Sequence, residues 1–350
     1  MPIRVPTLKE ISSIKYNYQF QYLVNPTVCD RIFSKLQLNT VYPNDCHDLK
    51  VLDLYPGPGQ TSVIFNNKFT PKQHFLMDIR NSYVDFQDRY LVPYNNGNKL
   101  TLIRKDPYDW SSYTDLIEKE RQLDPGFQNK SHLHNEFLIM ANVTERKYEG
   151  LIIQWLSCLG YKNWLMKYGN VKMLLWLPTQ TAIKLLALPG TKHRNKCSLY
   201  LEAFADTNLV AFSKSLTVIQ NFDPTLIKKC DPIFIDDPND IFPSNPSDES
   251  ISLLEINPKD HNIDIDTWDY VTKQLMILRR TPLIDAVESL GHGAREYYLE
   301  TIKDKQLMNR CPVTFTFEEF EYITQLFINW PFKPDIYTEL YDLKVDEPRN

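Results

Sequence analysis

Between residues 50 and 177, short apolar runs alternate with longer amphipathic stretches. The runs are KVLDLY (50–55), QHFLMD (73–78), LTLIRKD (100–106), NEFLIMANV (135–143) and VKMLLWL (171–177). Each is about as long as a buried strand and ends in polar or turn residues. The stretches between them, 61–67, 82–91, 111–122 and 150–160, read as helices. Strands and helices in alternation predict a parallel, doubly wound α/β sheet. Upstream, Val28, Ile32, Phe33, Leu36 and Leu38 recur near helical spacing, with Asn25 or Thr27 suited to cap that helix and Pro26 to its first turn.

Beyond residue 178 the pattern changes. A helix leads into a basic loop ending at 196, residues 232–249 form a proline- and acid-rich connector, and ISLLEI (251–256) reads as a further strand. From 266 to about 330 the periodicity is helical. The expected organisation is therefore an α/β domain over 1–257, a small helical domain over 258–332 and a tail over 333–350. From Trp330 on, the tail carries the aromatic residues Phe332, Tyr337 and Tyr341, while two prolines and an acidic end argue against tight docking to the body.

Composition narrows the function. With 13% aromatic residues, 10 glycines and 23 prolines in 350 residues, the chain reads as ordered and globular. A net charge of −5 means that nucleic acid, if bound, must meet a local basic patch. Six dispersed cysteines without a CxxC pair and seven scattered histidines argue against a disulfide framework and a metal site, and fit a reducing compartment. No apolar stretch reaches the roughly 20 residues needed to span a bilayer. The first twenty residues lack the acid-free, Arg- and Ser-rich bias of a strong transit peptide.

The segment VLDLYPGPG holds the candidate chemistry. A doubly wound sheet that binds S-adenosylmethionine ends its first strand in an acid and a slim turn, here Asp53 followed by Gly57 and Gly59. The next two strand ends supply acids for the ribose hydroxyls and the adenine amine, here Asp78 and Asp106. Tyr55, however, stands where the first glycine of such a loop belongs, so its ring fills part of the pocket or props the neighbouring loops. After the fourth strand, Asn142-Val143-Thr144-Glu145 keeps the asparagine that orients a target amine but lacks the proline and stacking tyrosine used to modify a flipped adenine.

These stretches, with YQFQYLVNPTVCDRI, the segment IKLLALPGTKHRNK and the helix MILRRTPLIDAVESLG, resemble the rRNA adenine dimethyltransferase superfamily. RKDPYDWSS, ANVT, LIIQWLSC, TWDYVTKQLMIL and NWPFKPDI are more similar to its non-methylating offshoot, the budding-yeast type mitochondrial transcription initiation factors. The resemblance implies a Rossmann-like methyltransferase fold and a vestigial cofactor site at Gln21, Tyr55, Gly57, Gly59, Asp78, Asp106 and Asn142. It implies no required cofactor, although the retained acids leave S-adenosylmethionine binding open. It further implies a place in the mitochondrial matrix, at the nucleoid. The implied partners are a single-subunit mitochondrial RNA polymerase and promoter DNA, above all the melted non-template strand. An rRNA adenine N6,N6-dimethyltransferase is the alternative.

Melted DNA exposes bases, and Tyr108 and Trp110 lie just past a strand end where a target base would arrive. They stack on bases or pack the helix that follows. Lys192, His193, Arg194 and Lys196 form a basic cluster, either a phosphate patch extended by Lys184 and Lys162 or a solvated loop. Arg279 and Arg280 end a helix, where they oppose its dipole or face DNA or polymerase.

Overall fold

The computed structural model describes residues 2–14, 20–95, 99–213, 221–236, 240–243 and 250–336. They divide into two compact units, Met1–Leu186 with Tyr200–His261 and Ala187–Leu199 with Asn262–Asn350.

The first unit is built on the expected doubly wound sheet. Among the described residues its strands are β1 (Tyr22–Leu23), β2 (Lys50–Leu54), β3 (Gln73–Met77), β4 (Thr101–Ile103), β5 (Leu133–Asn142), β6 (Asn170–Pro178), β7 (Ala205–Ser213), β8 (Ile233–Ile235), β9 (Ile241–Phe242) and β10 (Ile251–Pro258). Eight of them lie in the order β4-β3-β2-β5-β6-β10-β7-β8, and β1 pairs with β9 alongside. Strands β2 to β6 run parallel, whereas β10 enters antiparallel between β6 and β7. The run 50–55 thus becomes the strand at which the order reverses, with β3 on one side and β5 on the other. That switch point is where a doubly wound sheet opens its crevice. The parallel register brings Leu54, Met77, Ile103 and Ala141 to one edge.

The helices fall where the periodicity puts them: Pro26–Lys35, Gln60–Phe69, Asn81–Tyr90 and Glu149–Tyr161. Asn25 caps the first of these, its side chain accepting from the Thr27 and Val28 amides. The helix begun by Trp110 ends at Thr114 and passes into a wider coil over Asp115–Lys119. Gly59 opens the helix after β2 at φ 75°, and a Cβ there would lie 2.6 Å from Leu91 Cδ1, so both conformation and space require glycine. Strand β7 has no counterpart in the sequence reading, because Asp206, Thr207 and Asn208 break its apolar pattern.

The second unit packs the helices Ile265–Ile277, Ala294–Thr301 and Phe317–Asn329 around Trp268, Tyr298, Phe320 and Trp330. Asp264 caps the first and a Thr316–Glu319 capping box starts the last. The domain division expected from sequence changes in two ways. The boundary falls after His261, and the segment 187–199 belongs to the helical unit although the chain reaches it from β6. The Gly190 amide donates to the Val313 carbonyl and the Arg194 guanidinium to the carbonyls of Ala187 and Phe315. Such membership depends on non-local packing, which no local pattern encodes. Tyr337 and Tyr341 of the tail lie outside the described residues; Trp330 is buried and Phe332 exposed.

Candidate nucleic-acid interface at the strand ends

Tyr55 directly follows β2 and adopts φ 53°, a conformation unusual for a bulky residue. Such a conformation costs about 1–3 kcal/mol and persists only where the surroundings over-determine it. Here they do so. The residue is 1% exposed, its ring stacks on Tyr148 with centroids 4.6 Å apart, and its hydroxyl donates to Asp106 Oδ1 at 2.5 Å. Burial, reinforced by the Asp106 carboxylate, raises the phenol pKa well above its ordinary value, so the hydroxyl keeps its proton.

The acid at the end of β3 is engaged as well. Asp78 is fully buried, and Arg80 grips it through Nε at 2.9 Å and Nη2 at 2.6 Å. The guanidinium lies over the rings of Phe20 at 3.9 Å, Tyr83 at 4.5 Å and Tyr55 at 5.0 Å, and Glu145 reaches it at 3.5 Å. Burial disfavours this charge, but the Asp78 contacts outweigh it, and the Arg80 pKa is raised. Sequence reasoning passed over Arg80 and Tyr148. The signal available was a cation two residues beyond the acid expected to meet a ribose.

The rest of the expected cofactor set is bonded inward too. Asn142 Nδ2 donates to the Gln21 carbonyl at 3.0 Å, the Thr144 hydroxyl donates to the same carbonyl at 2.9 Å, and Gln21 Nε2 donates to Pro243 O at 3.3 Å. A Cβ on Gly57 would lie 2.8 Å from Phe20 Cε1. A cavity lined by Tyr22, Asp53, Pro56, Ser62, Asn142 and Trp176 holds about 20 Å³, the room of one water.

Of the two aromatic candidates, Tyr108 is 50% exposed, and its amide donates to Asp106 Oδ1 at 2.9 Å. Trp110 is half-buried and sits 6.3 Å from Trp164, which stacks on Trp155 at 5.4 Å and 5°. Trp110 thus shares in the aromatic packing beside its helix, while Tyr108 presents a face outward.

The basic candidates separate. Arg194 is 1% exposed, and this corrects its place in a surface cluster: its guanidinium is spent on main-chain carbonyls. Arg279 points the same way, donating to the Arg194 carbonyl. Lys162 is a second correction. It turns inward to Asn170 Oδ1 at 2.8 Å and Lys259 O at 2.7 Å, and burial lowers its pKa to about 8. Lys184 pairs with Glu149 and Lys196 with Asp269, both at 2.9 Å. His193 is half-buried, and Lys192 and Arg280 are exposed. Among the described residues no cluster of metal-ligating side chains occurs, and no helix is long and apolar enough to cross a membrane.

The family model for ribosomal RNA adenine dimethylase matches residues 11–325. The chain belongs to the ribosomal RNA adenine dimethylase family. Within it, the chain is 51% identical over 344 residues to "Mitochondrial transcription factor 1" of Lachancea kluyveri, covering 98% of each chain. It is 47% identical over 347 residues to the protein of that name from Saccharomyces cerevisiae, covering 99% of each. In fold it is similar to a dimethyladenosine transferase from Plasmodium falciparum, with a TM-score of 0.54 at 14% identity, over 88% of this chain and 96% of that one. The chain thus has a Rossmann-like methyltransferase fold, with its strand-end acids bonded to its own side chains.

Proposed function

We propose that this chain is a mitochondrial transcription initiation factor, acting in the matrix at the nucleoid with a single-subunit RNA polymerase. It assists promoter recognition and melting and holds the displaced non-template strand, without S-adenosylmethionine and without methyl transfer. The naming of its full-length relatives supports the transcriptional role. The observation that carries the mechanism is Tyr108, an exposed aromatic fixed at the strand edge where the cofactor's acids are already bonded to Arg80 and Tyr55. Asp78 gives both carboxylate oxygens to Arg80, and Asp106 Oδ1 accepts the Tyr55 hydroxyl, so the acids expected to meet a ribose and an adenine amine are engaged within the chain. An edge so engaged supports the reading without S-adenosylmethionine, and the exposed Tyr108 ring suits an unpaired base, which stacks on a tyrosine whatever its identity.

The test is promoter-dependent runoff transcription with the cognate mitochondrial polymerase on linear duplex and on a pre-melted bubble. The protein should stimulate the duplex strongly and the bubble weakly, because melting is the step it assists. Tyr108→Ala should weaken open-complex formation about 5- to 150-fold, the range of one lost stacking contact, and leave duplex binding nearly intact. Equal losses in both would refute base contact. The family's name also favours a dimethyltransferase acting on ribosomal RNA. Calorimetric binding of S-adenosylmethionine followed by methylation of an rRNA hairpin would establish that reading instead.

A further inference from the structure

One carboxylate oxygen joins the closed cofactor cleft to the exposed base platform. Asp106 Oδ1 accepts both the Tyr55 hydroxyl at 2.5 Å and the Tyr108 amide at 2.9 Å. The second bond folds residues 106–108 into a tight turn, as aspartates at loop starts do. The turn is braced further by the Asp109 amide and the Ser112 hydroxyl, both donating to the Asp106 carbonyl, and by the Tyr113 hydroxyl donating to the Pro107 carbonyl. Tyr55 is itself immobilised by its stack on Tyr148 and by the Arg80 guanidinium, which Asp78 and Glu145 hold. Four successive strand ends therefore converge on one side-chain network, and Tyr108 is its exposed member.

We propose that Tyr55 is a positioning residue for nucleic-acid binding: through Asp106 it fixes the loop that presents Tyr108 to an unpaired base. The inference rests on the reading that Tyr108 meets a base. An exposed loop tyrosine ordinarily loses main-chain and side-chain freedom when a base stacks on it, and that loss is subtracted from the stacking energy. A turn already closed on Asp106 has given up the main-chain part before DNA arrives. The hydroxyl of Tyr55 stops Asp106 from rotating away, and its raised pKa keeps the donated proton in place through the physiological range. The side chain that displaced the first glycine of the loop thereby serves the new ligand.

The experiment is a double-mutant cycle on Tyr55→Phe and Tyr108→Ala. It uses the full chain with its polymerase, on a promoter carrying 2-aminopurine in the non-template strand. Tyr55→Phe keeps the ring on Tyr148 and removes only the hydroxyl. It should weaken open-complex formation about 5-fold, the transmitted part of one charge-assisted hydrogen bond, and the double variant should be no worse than Tyr108→Ala alone. Hydrogen exchange at the Tyr108 amide should quicken in Tyr55→Phe before DNA is added, while exchange in β5 and β6 stays unchanged. Asp106→Asn, which retains an acceptor oxygen, should lose less than Tyr55→Phe. Additive losses, or a Tyr55→Phe protein as active as wild type beside an impaired Tyr108→Ala, overturn the proposal. If Tyr108→Ala itself loses nothing, the base contact fails and this inference falls with it.

Discussion

Replacing Arg80 by methionine tests whether the network around Asp78 is held by charge or merely filled by bulk. The substitution keeps an unbranched apolar chain of similar reach among Phe20, Tyr55 and Tyr83 and deletes the guanidinium. Asp78, fully buried, then loses side-chain donors at 2.9 and 2.6 Å and keeps the residue-80 amide at 3.0 Å. Glu145 loses a neighbour at 3.5 Å and keeps Lys147 at 2.7 Å. Removing one partner of a buried pair costs about 3–5 kcal/mol, because the other charge stays behind. The three ring contacts add about 0.5–2 kcal/mol in total where the cation is desolvated. A loss of about 4 kcal/mol is expected in urea unfolding, with hydrogen exchange placing the loosening in residues 73–90. Adding Asp78→Asn to Arg80→Met should restore about half, since no uncompensated carboxylate then remains. A loss under about 1 kcal/mol, or a double variant as unstable as the single one, would refute the electrostatic account.

The remaining outcomes concern residues whose surroundings differ from their sequence appearance. Lys162 has a folded pKa of about 8 against an ordinary 10.5, so its charge is disfavoured in the folded state at neutral pH. Between those values the unfolded chain binds the extra proton, and stability rises with pH across that window. Lys162→Met should abolish that rise, worth on the order of 1 kcal/mol after solvent screening, in urea melts at pH 7 and pH 10. Arg194→Leu should destabilise the helical unit by about 1–3 kcal/mol through two orphaned carbonyls. Lys192→Ala should leave the melts unchanged and reduce the salt slope of DNA binding by about one; the reverse pattern would return Arg194 to the surface. Gly59→Ala should cost about 1–3 kcal/mol, from positive φ and overpacking against Leu91, read from the shift in urea midpoint.

By itself the sequence determined the parallel strands from 50 to 177, most of the helices between them and the edge to which the acids come, because each depends on local periodicity and on turns a few residues long. KVLDLYPGPG announces a strand and a tight turn whatever lies around it, and DPYDW places Tyr108 just past another strand. It could not determine which charges face water. Arg194 and Lys192 stand two residues apart in one basic loop, yet one is buried against main-chain carbonyls and the other is exposed. Tyr55 was visible as an intruder in a glycine loop, but its partner Asp106 is 51 residues away and Tyr148 is 93 residues away. Desolvation and pairing are set by atoms that meet only when the sheet closes. A sequence therefore supplies the acid, the phenol and the guanidinium, and tertiary structure decides whether they await a cofactor or satisfy one another.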